Sequence, residues 1–114
     1  MIKKFRYTLK NRMDNNIEYR YYTLYAIQQG LEYSFSLEQY KILAKDQLVY
    51  KNGNHELYEN DIFEIEDFKC YISYDENICA YALYLYDNDD HFDELGMMNL
   101  DNIEPIGIRN ENSI

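Results

Sequence analysis

The chain has 114 residues, a hydrophobic content of 46% and a formal net charge of −10 at pH 7. This length allows one domain with one core and is too short for two ordinary domains, while the hydrophobic content excludes a disordered chain. The opening segment MIKKFRYTLK lacks the apolar core of a signal peptide, and no apolar run reaches membrane-spanning length. We therefore expect a cytoplasmic protein without a membrane partner. Cys70 and Cys79 are then expected to be reduced thiols rather than a disulfide across a hairpin.

Charge is distributed unevenly along the chain. Residues 1–50 contain eight Lys or Arg against five Asp or Glu, a net charge of about +3. Residues 51–114 contain three against sixteen, a net charge of about −13. Such an acidic surface repels nucleic acid and attracts basic partners, although acidic surfaces also serve solubility alone.

The N-terminal segment predicts a strand, a polar turn and a second strand. Apolar residues alternate with Lys and Arg over residues 3–9, which favours an opening strand. Residues 10–16 are polar and contain Asp-Asn-Asn, which is typical of a turn. The aromatic and β-branched run over 17–27 favours a strand that pairs back on the first. A helix over residues 21–29 that ends at Gly30 is the alternative.

A short helix is predicted over residues 37–44. Ser36 is a favoured N-cap residue, and Gln39 can reach back to complete a capping box. An apolar stripe follows at Leu37, Tyr40 and 42–44. The next strand is then expected to begin at 48–50.

Two turns and two short strands are predicted within residues 50–67. Asn52-Gly53 predicts a two-residue type I′ turn, because both central residues of that turn need a positive φ. The alternating segment 56–58 and the β-prone run 62–65 follow, separated by a polar break. Asp61 in that break is suited to an Asx-type hydrogen bond that closes the second turn.

A second hairpin is predicted from two aromatic strands, 68–74 and 78–86, joined by a turn at 75–77. Both side-chain parities of the second strand are apolar. This strand is therefore either buried on both faces or presents a binding face, and burial is the default interpretation.

The C-terminal part predicts a charged loop at 87–91, a short turn or strand in 92–98 and a closing edge strand at 103–108. Pro105 favours an edge position because proline cannot donate to a ladder. The tail 110–114 is expected to fray.

These elements predict a mainly β (α+β) fold. The expected architecture is a small, strongly bent antiparallel sheet or an SH3-like barrel, with one short helix near residues 37–44. We expect one domain over residues 1–114. Its basic N-terminal β and helix part covers 1–49, and a barrel-like part covers 50–110.

Three segments spread over most of the chain carry a family resemblance. They are KFR at 4–6 with the polar loop 11–16, KNGxxELYExDI at 51–62, and IExIG at 103–107 with Glu111-Asn112. In order and overall spacing they resemble the YopX family of phage and prophage proteins from Gram-positive bacteria, with one extra residue between Gly53 and Glu56. Asn60 stands where that family usually has glycine, and Asn also tolerates a positive φ. The resemblance implies a β-rich domain in a phage or mobile-element setting and no defined activity.

The sequence offers no recognisable catalytic or cofactor-binding motif. His55 and His91 have no Ser or Cys partner at a known spacing, and the glycines form no phosphate-binding loop. The acidic run from Asp87 fits a calcium loop only at its first and third positions, since Phe92 and Met98 stand where glycine and glutamate are needed. We therefore expect no enzyme activity, no cofactor and no resident metal.

The preferred functional hypothesis is a phage-type accessory protein that binds a basic surface of a host protein. One concrete form is an inhibitor of host defence, such as an anti-CRISPR that mimics nucleic acid with carboxylates in place of phosphates. The candidate partner-binding residues are all acidic: Asp87, Asp89, Asp90, Asp93, Glu94, Asp101, Glu64, Glu66 and Asp67. Binding through them should weaken steeply with salt.

Two alternatives remain open. The basic N-terminal strand could bind nucleic acid through phosphate contacts and stacking, although the acidic half of the chain disfavours direct binding. The residues in question are Lys3, Lys4, Arg6, Lys10, Arg12 and Arg20, beside Tyr7, Tyr19, Tyr21 and Tyr22. A self-associating scaffold is the other alternative, because Tyr-rich edge strands can pair between chains to form a homo-oligomer.

Overall fold

Strands dominate the computed structural model, which describes residues 3–31, 35–95 and 100–109. The elements in chain order are β1 (Lys4–Asn11), β2 (Ile17–Thr23), α1 (Leu24–Gln28), β3 (Tyr40–Asn52), β4 (His55–Tyr58), β5 (Asp61–Ile65), β6 (Phe68–Asp75), β7 (Ala80–Leu85), β8 (His91–Glu94) and β9 (Gly107–Ile108). The predicted mainly β fold, with a strongly bent antiparallel sheet and one short helix, is confirmed. The chain forms two compact units, Met1–Leu48 and Val49–Ile114.

In the first unit, β1 lies between β2 and β3 and pairs antiparallel with both. One face of β1 carries Tyr7 and Leu9, which form a small core with Phe35. The opposite face places Arg6 beside Asp46 of β3, with Nη2 and Oδ2 3.3 Å apart and both side chains buried. Such a pair favours one register of β1 against β3, because either charge left alone there would be costly.

The short helix α1 directly follows β2. Thr23 ends the strand and caps the helix, since its Oγ1 accepts the N–H of Ala26 at 3.1 Å. Gly30 follows the helix with a φ of 77°, a conformation that glycine adopts at little cost. The strand and helix interpretations of this segment therefore each hold for one part of it.

The helix predicted over residues 37–44 is wrong, because β3 begins at Tyr40. Ser36 does form a local turn: its Oγ accepts the N–H of Glu38 at 3.1 Å, and its carbonyl accepts the N–H of Tyr40 at 2.9 Å. The turn does not continue, because Ile42 pairs with Leu9 of β1 and packs on the core of the first unit. Ladder hydrogen bonds and burial thus outweigh a local capping signal.

The second unit is built on an antiparallel sheet of order β8-β7-β6-β5-β9. One face carries Phe63, Ile72 and Leu83 into a core that also contains Leu57 of β4. On β7, Ala82 and Leu83 have opposite parity and are both 0% exposed. The interpretation of this strand as core is therefore confirmed at its centre.

The turn after β3 lies one residue later than predicted. Asn52 still belongs to β3, and the connecting residues are Gly53 and Asn54. Of these two, only Gly53 has a positive φ, at 63°, so the predicted type I′ geometry at Asn52-Gly53 is wrong. Asn52 is held in the strand, where its Nδ2 donates to Asp101 at 2.9 Å.

The second turn of this region matches its prediction. Asn60 has a φ of 71°, and the N–H of Tyr58 donates to Asp61 Oδ2 at 2.8 Å. Asp61 itself is 2% exposed. The carboxylate therefore closes the turn from inside the protein.

The closing strand is shorter than predicted. Only Gly107 and Ile108 pair with β5, preceded by a hydrogen bond from the Ile106 N–H to the Ile62 carbonyl at 2.7 Å. Residues 96–99 and the tail 110–114, for which a turn or strand and fraying were predicted, lie outside the described residues.

Both cysteines are free thiols, with Cys70 buried and Cys79 exposed. Burial raises the pKa of Cys70, which keeps that thiol protonated and unreactive. Within the described ranges, no helix has the length and apolar character needed to cross a membrane.

Candidate functional site

Two connections of the five-stranded sheet lie at the same end of it. The β5–β6 turn follows the pair Ile65 and Phe68, and the β7–β8 loop follows Leu85, which pairs with Cys70. Because antiparallel neighbours reverse direction, β7 ends beside the start of β6. We call this surface the acidic end and define it by five exposed carboxylates that belong to the predicted set: Glu66, Asp67, Asp87, Asp89 and Asp90.

The β5–β6 turn holds its two acidic residues in a left-handed backbone conformation. The φ angle is 50° at Glu66 and 71° at Asp67. Two consecutive positive φ values between directly paired strand residues are typical of a type I′ turn, which Asn and Gly favour. Glu66 adopts it at a cost, because its Cβ crowds the following carbonyl oxygen.

The β7–β8 loop is organised by its own backbone. The N–H of Leu85 donates to the carbonyl of Asp90 at 2.8 Å, and the N–H of Asp89 donates to the carbonyl of Leu85 at 2.9 Å. Asn88 Oδ1 accepts the N–H of Asp90 at 3.0 Å. These bonds close a tight loop in which the three aspartates are exposed.

An aromatic cluster holds this loop on the sheet. The Tyr71 hydroxyl donates to Asp89 Oδ1 at 2.6 Å, and the Arg109 guanidinium lies 4.1 Å from the Tyr71 ring centroid. Tyr84 stacks on Tyr71 with centroids 5.7 Å apart. Burial, together with the hydrogen bond to Asp89, raises the pKa of Tyr71 to about 12. Sequence reasoning missed this cluster because its members lie far apart in the chain and no local pattern connects them.

The other four predicted acidic residues are not placed on these two connections. Glu64 lies on β5 and pairs in register with Lys69 of β6. Asp93 and Glu94 lie on β8. Asp101 accepts hydrogen bonds from the Tyr50 hydroxyl and from the side-chain amide of Asn52, the last residue of β3.

Asp101 belongs to a second polar cluster that the sequence did not reveal. The hydrogen bonds from Tyr50 and Asn52 hold the pKa of Asp101 below its ordinary value, and the same contact with Asp101 raises the pKa of Tyr50. His55 Nε2 lies 2.9 Å from the carbonyl oxygen of Leu100. A carbonyl can only accept, so Nε2 carries the ring proton. The cluster fastens the segment after Leu100 to the β3–β4 hairpin.

The basic N-terminal strand does not form a continuous cationic face. Arg6 and Tyr7 are 3% and 2% exposed, and Arg6 faces Asp46. Arg20 donates from Nε to Glu18 Oε1 at 2.9 Å. The strand therefore lacks the row of free cations that the nucleic-acid hypothesis requires.

Part of the predicted basic set is nevertheless brought together. Lys10, Arg12 and Asn15 line a cavity of about 230 Å³, and Lys41 of β3 completes it. Sequence reasoning missed Lys41 because it placed that residue on a helix.

No group of three or more His, Cys, Asp or Glu side chains is placed to hold a metal ion in residues 3–31, 35–95 and 100–109. Comparison of the chain with family models, curated proteins and solved structures finds no match. The resemblance to the YopX family stays a prediction that rests on the three segments named above.

Proposed function

We propose that the chain is a non-catalytic interaction protein that binds a basic protein surface through its acidic end. The observation that carries the proposal is the convergence of two separate connections on one end of the sheet. Within the described part of the chain, Glu66, Asp67, Asp87 and Asp90 make no ion pair. Their negative charge is therefore available to a partner.

The local charge balance supports this proposal. Lys69 lies beside the β5–β6 turn, but its Nζ sits 4.0 Å from the centroid of the Tyr86 ring and forms no ion pair with a described carboxylate. Repulsion between neighbouring carboxylates lowers the stability of the free protein, and a basic partner relieves it. Glu66 supports the proposal as well, since a carboxylate occupies a position where its backbone conformation is unfavourable.

The partner class that we propose is a nucleic-acid-binding protein in the cytoplasm of a bacterial host. Carboxylates on these two connections can stand in for the phosphates that such a protein recognises. The resemblance to phage proteins makes a host defence protein the concrete case, and the chain would then act as an inhibitor of the anti-CRISPR kind.

The test is a competition experiment with immobilised full-length protein and a bacterial lysate at low and moderate salt. We expect the captured proteins to be nucleic-acid-binding, to be released by short duplex DNA, and to be lost as salt rises. The E66Q/D67N variant should capture them several-fold less well. Quantitative mass spectrometry of the eluates measures each effect.

The matched control is E38Q/E76Q, which also removes two exposed charges but at other turns. It should capture as much as the wild-type protein. Equal capture by E66Q/D67N and the wild type, or capture that neither DNA nor salt reverses, would contradict the proposal.

The two alternatives have less support. Direct nucleic-acid binding is disfavoured because Arg6 is buried against Asp46 and Arg20 bonds to Glu18. A scaffold built by the Tyr-rich hairpin is disfavoured because β6 and β7 are interior strands of the sheet, so both edges of each are already paired.

A further inference from the structure

A small cationic cavity lies in the first unit, at the end of β1. Lys10 contributes from the strand, Arg12 and Asn15 from the turn that follows, and Lys41 from the start of β3. Its volume of about 230 Å³ is below the range of roughly 300–1,000 Å³ that is typical of sites for drug-sized ligands. The cavity therefore suits a compact ligand.

The strand pairing fixes where the lysine side chains of this cavity begin. Lys10 and Lys41 are direct partners in the ladder between β1 and β3, so their side chains leave the same face of the sheet. The register shifts between Thr8 and Leu9, and this irregularity brings Lys41 opposite Lys10. Without the shift, Ile42 of β3 would lie opposite Lys10.

The turn that carries Arg12 and Asn15 is equally fixed. The N–H of Arg12 donates to the Gln39 carbonyl at 2.8 Å, and its Nε donates to the Leu37 carbonyl at 3.2 Å. The N–H of Asn15 donates to the Asn11 carbonyl at 2.8 Å. The terminal nitrogens of Arg12 therefore stay available for a ligand.

The three cations of this cavity are unpaired within the described residues. None of Lys10, Arg12 and Lys41 forms an ion pair with a described carboxylate. The acidic residues nearest in sequence, Asp14 and Glu38, form no ion pair with them, and Asp14 Oδ1 accepts the N–H of Asn16 at 2.9 Å. Like charges directly opposite on paired strands are destabilising, and an external anion would relieve that repulsion.

We propose that this cavity binds the phosphate group of a small molecule. A forked guanidinium with two ammonium groups matches a multiply charged oxyanion, and Asn15 adds a side-chain amide donor. The three cations line one cavity, while Arg6 and Arg20 of the same sheet are engaged by carboxylates. This arrangement fits a compact phosphate rather than the track of phosphates along a nucleic acid. The site is independent of the acidic end and of the function proposed for it.

The test is an NMR titration of the isotope-labelled full-length protein with sodium pyrophosphate at constant ionic strength. We expect saturable shifts of the amide signals of residues 10–16 and 40–42, with little change elsewhere. K41Q should weaken binding about tenfold, the loss expected when one charge-assisted hydrogen bond is removed. R12Q should weaken it at least as much.

K3Q is the matched control, because Lys3 is exposed and precedes the opposite end of β1. It should bind pyrophosphate as the wild type does. Equal weakening by K3Q and K41Q, or shifts that never saturate, would overturn the proposal. A single-stranded oligonucleotide that binds more tightly than pyrophosphate, with shifts along all of β1, would also overturn it.

Discussion

Replacing the β5–β6 turn by its preferred residues should stabilise the protein. Glu66 and Asp67 both have positive φ, a conformation that costs an ordinary residue about 1–2 kcal/mol and an aspartate less. The E66N/D67G variant places Asn-Gly in this type I′ turn. Glycine lowers this gain by about 0.5–1 kcal/mol, because it increases the conformational entropy of the unfolded chain. We therefore expect the free energy of unfolding to rise by about 1 kcal/mol.

The assay is urea unfolding followed by tyrosine fluorescence and far-UV circular dichroism, with thermal melting as a second measure. A gain of about 1 kcal/mol raises the melting midpoint of a small domain by about 4–8 °C. E66Q/D67N is the control, because it removes the same two charges and leaves a glutamine side chain in the unfavourable conformation at the first turn position. The difference between the two variants isolates the backbone contribution from charge repulsion.

Equal stability of E66N/D67G and E66Q/D67N would refute the backbone argument. The same pair of variants also separates stability from binding. We expect both to lose partner capture, although one of them is more stable than the wild type. Retained capture by the more stable variant would show that the acidic pair is not part of the binding surface.

Three further predictions concern Tyr71, the ion pair of Arg6 with Asp46, and the two cysteines. The pKa of Tyr71 in the folded protein is about 12, above the ordinary value of 10.0, so the contribution of this tyrosine to stability is complete below pH 10 and is lost as the pH rises towards 12. The Y71F variant should not show this loss of stability at high pH. At neutral pH, Y71F should be about 1 kcal/mol less stable than the wild type in urea unfolding, because it lacks the hydrogen bond to Asp89. D46A should destabilise the protein by about 3–5 kcal/mol, because it removes one member of the buried ion pair between Arg6 and Asp46, and a shift of the unfolding midpoint measures this. Cys79 should react with a thiol reagent in the native protein, whereas the buried thiol should react only after unfolding.

The local patterns of the sequence predicted the elements that depend on local chemistry. The turn predicted at Asn60 and Asp61 was correct, because it depends only on interactions within a few residues of the chain. Asn60 tolerates a positive φ, and the Asp61 carboxylate accepts a nearby N–H. The second hairpin was correct because long aromatic strands separated by a polar turn favour one pairing.

The failures share a different cause. The helix over 37–44 was wrong because Ile42 gains more from pairing with β1 than from a helical turn, and that pairing is non-local. The turn at Asn52 was displaced because that side chain bonds to a carboxylate far along the chain. The cationic cavity could not be predicted, since it depends on a register shift that only the paired strands reveal. Predicting the acidic end would have required the order of the strands in the sheet as well as the positions of the charges in the sequence.

The edges of the five-stranded sheet bear on how the protein avoids aggregation. β6 and β7 are aromatic, proline-free segments of low charge, the composition that stacks into cross-β assemblies when a strand edge is free. In the native sheet β7 is shielded by β8, a strand of four residues that carries Asp93 and Glu94. Short, charged outer strands are poor templates for another chain. β8 thus covers the outer edge of β7, and loss of this short strand would leave an aromatic edge unpaired.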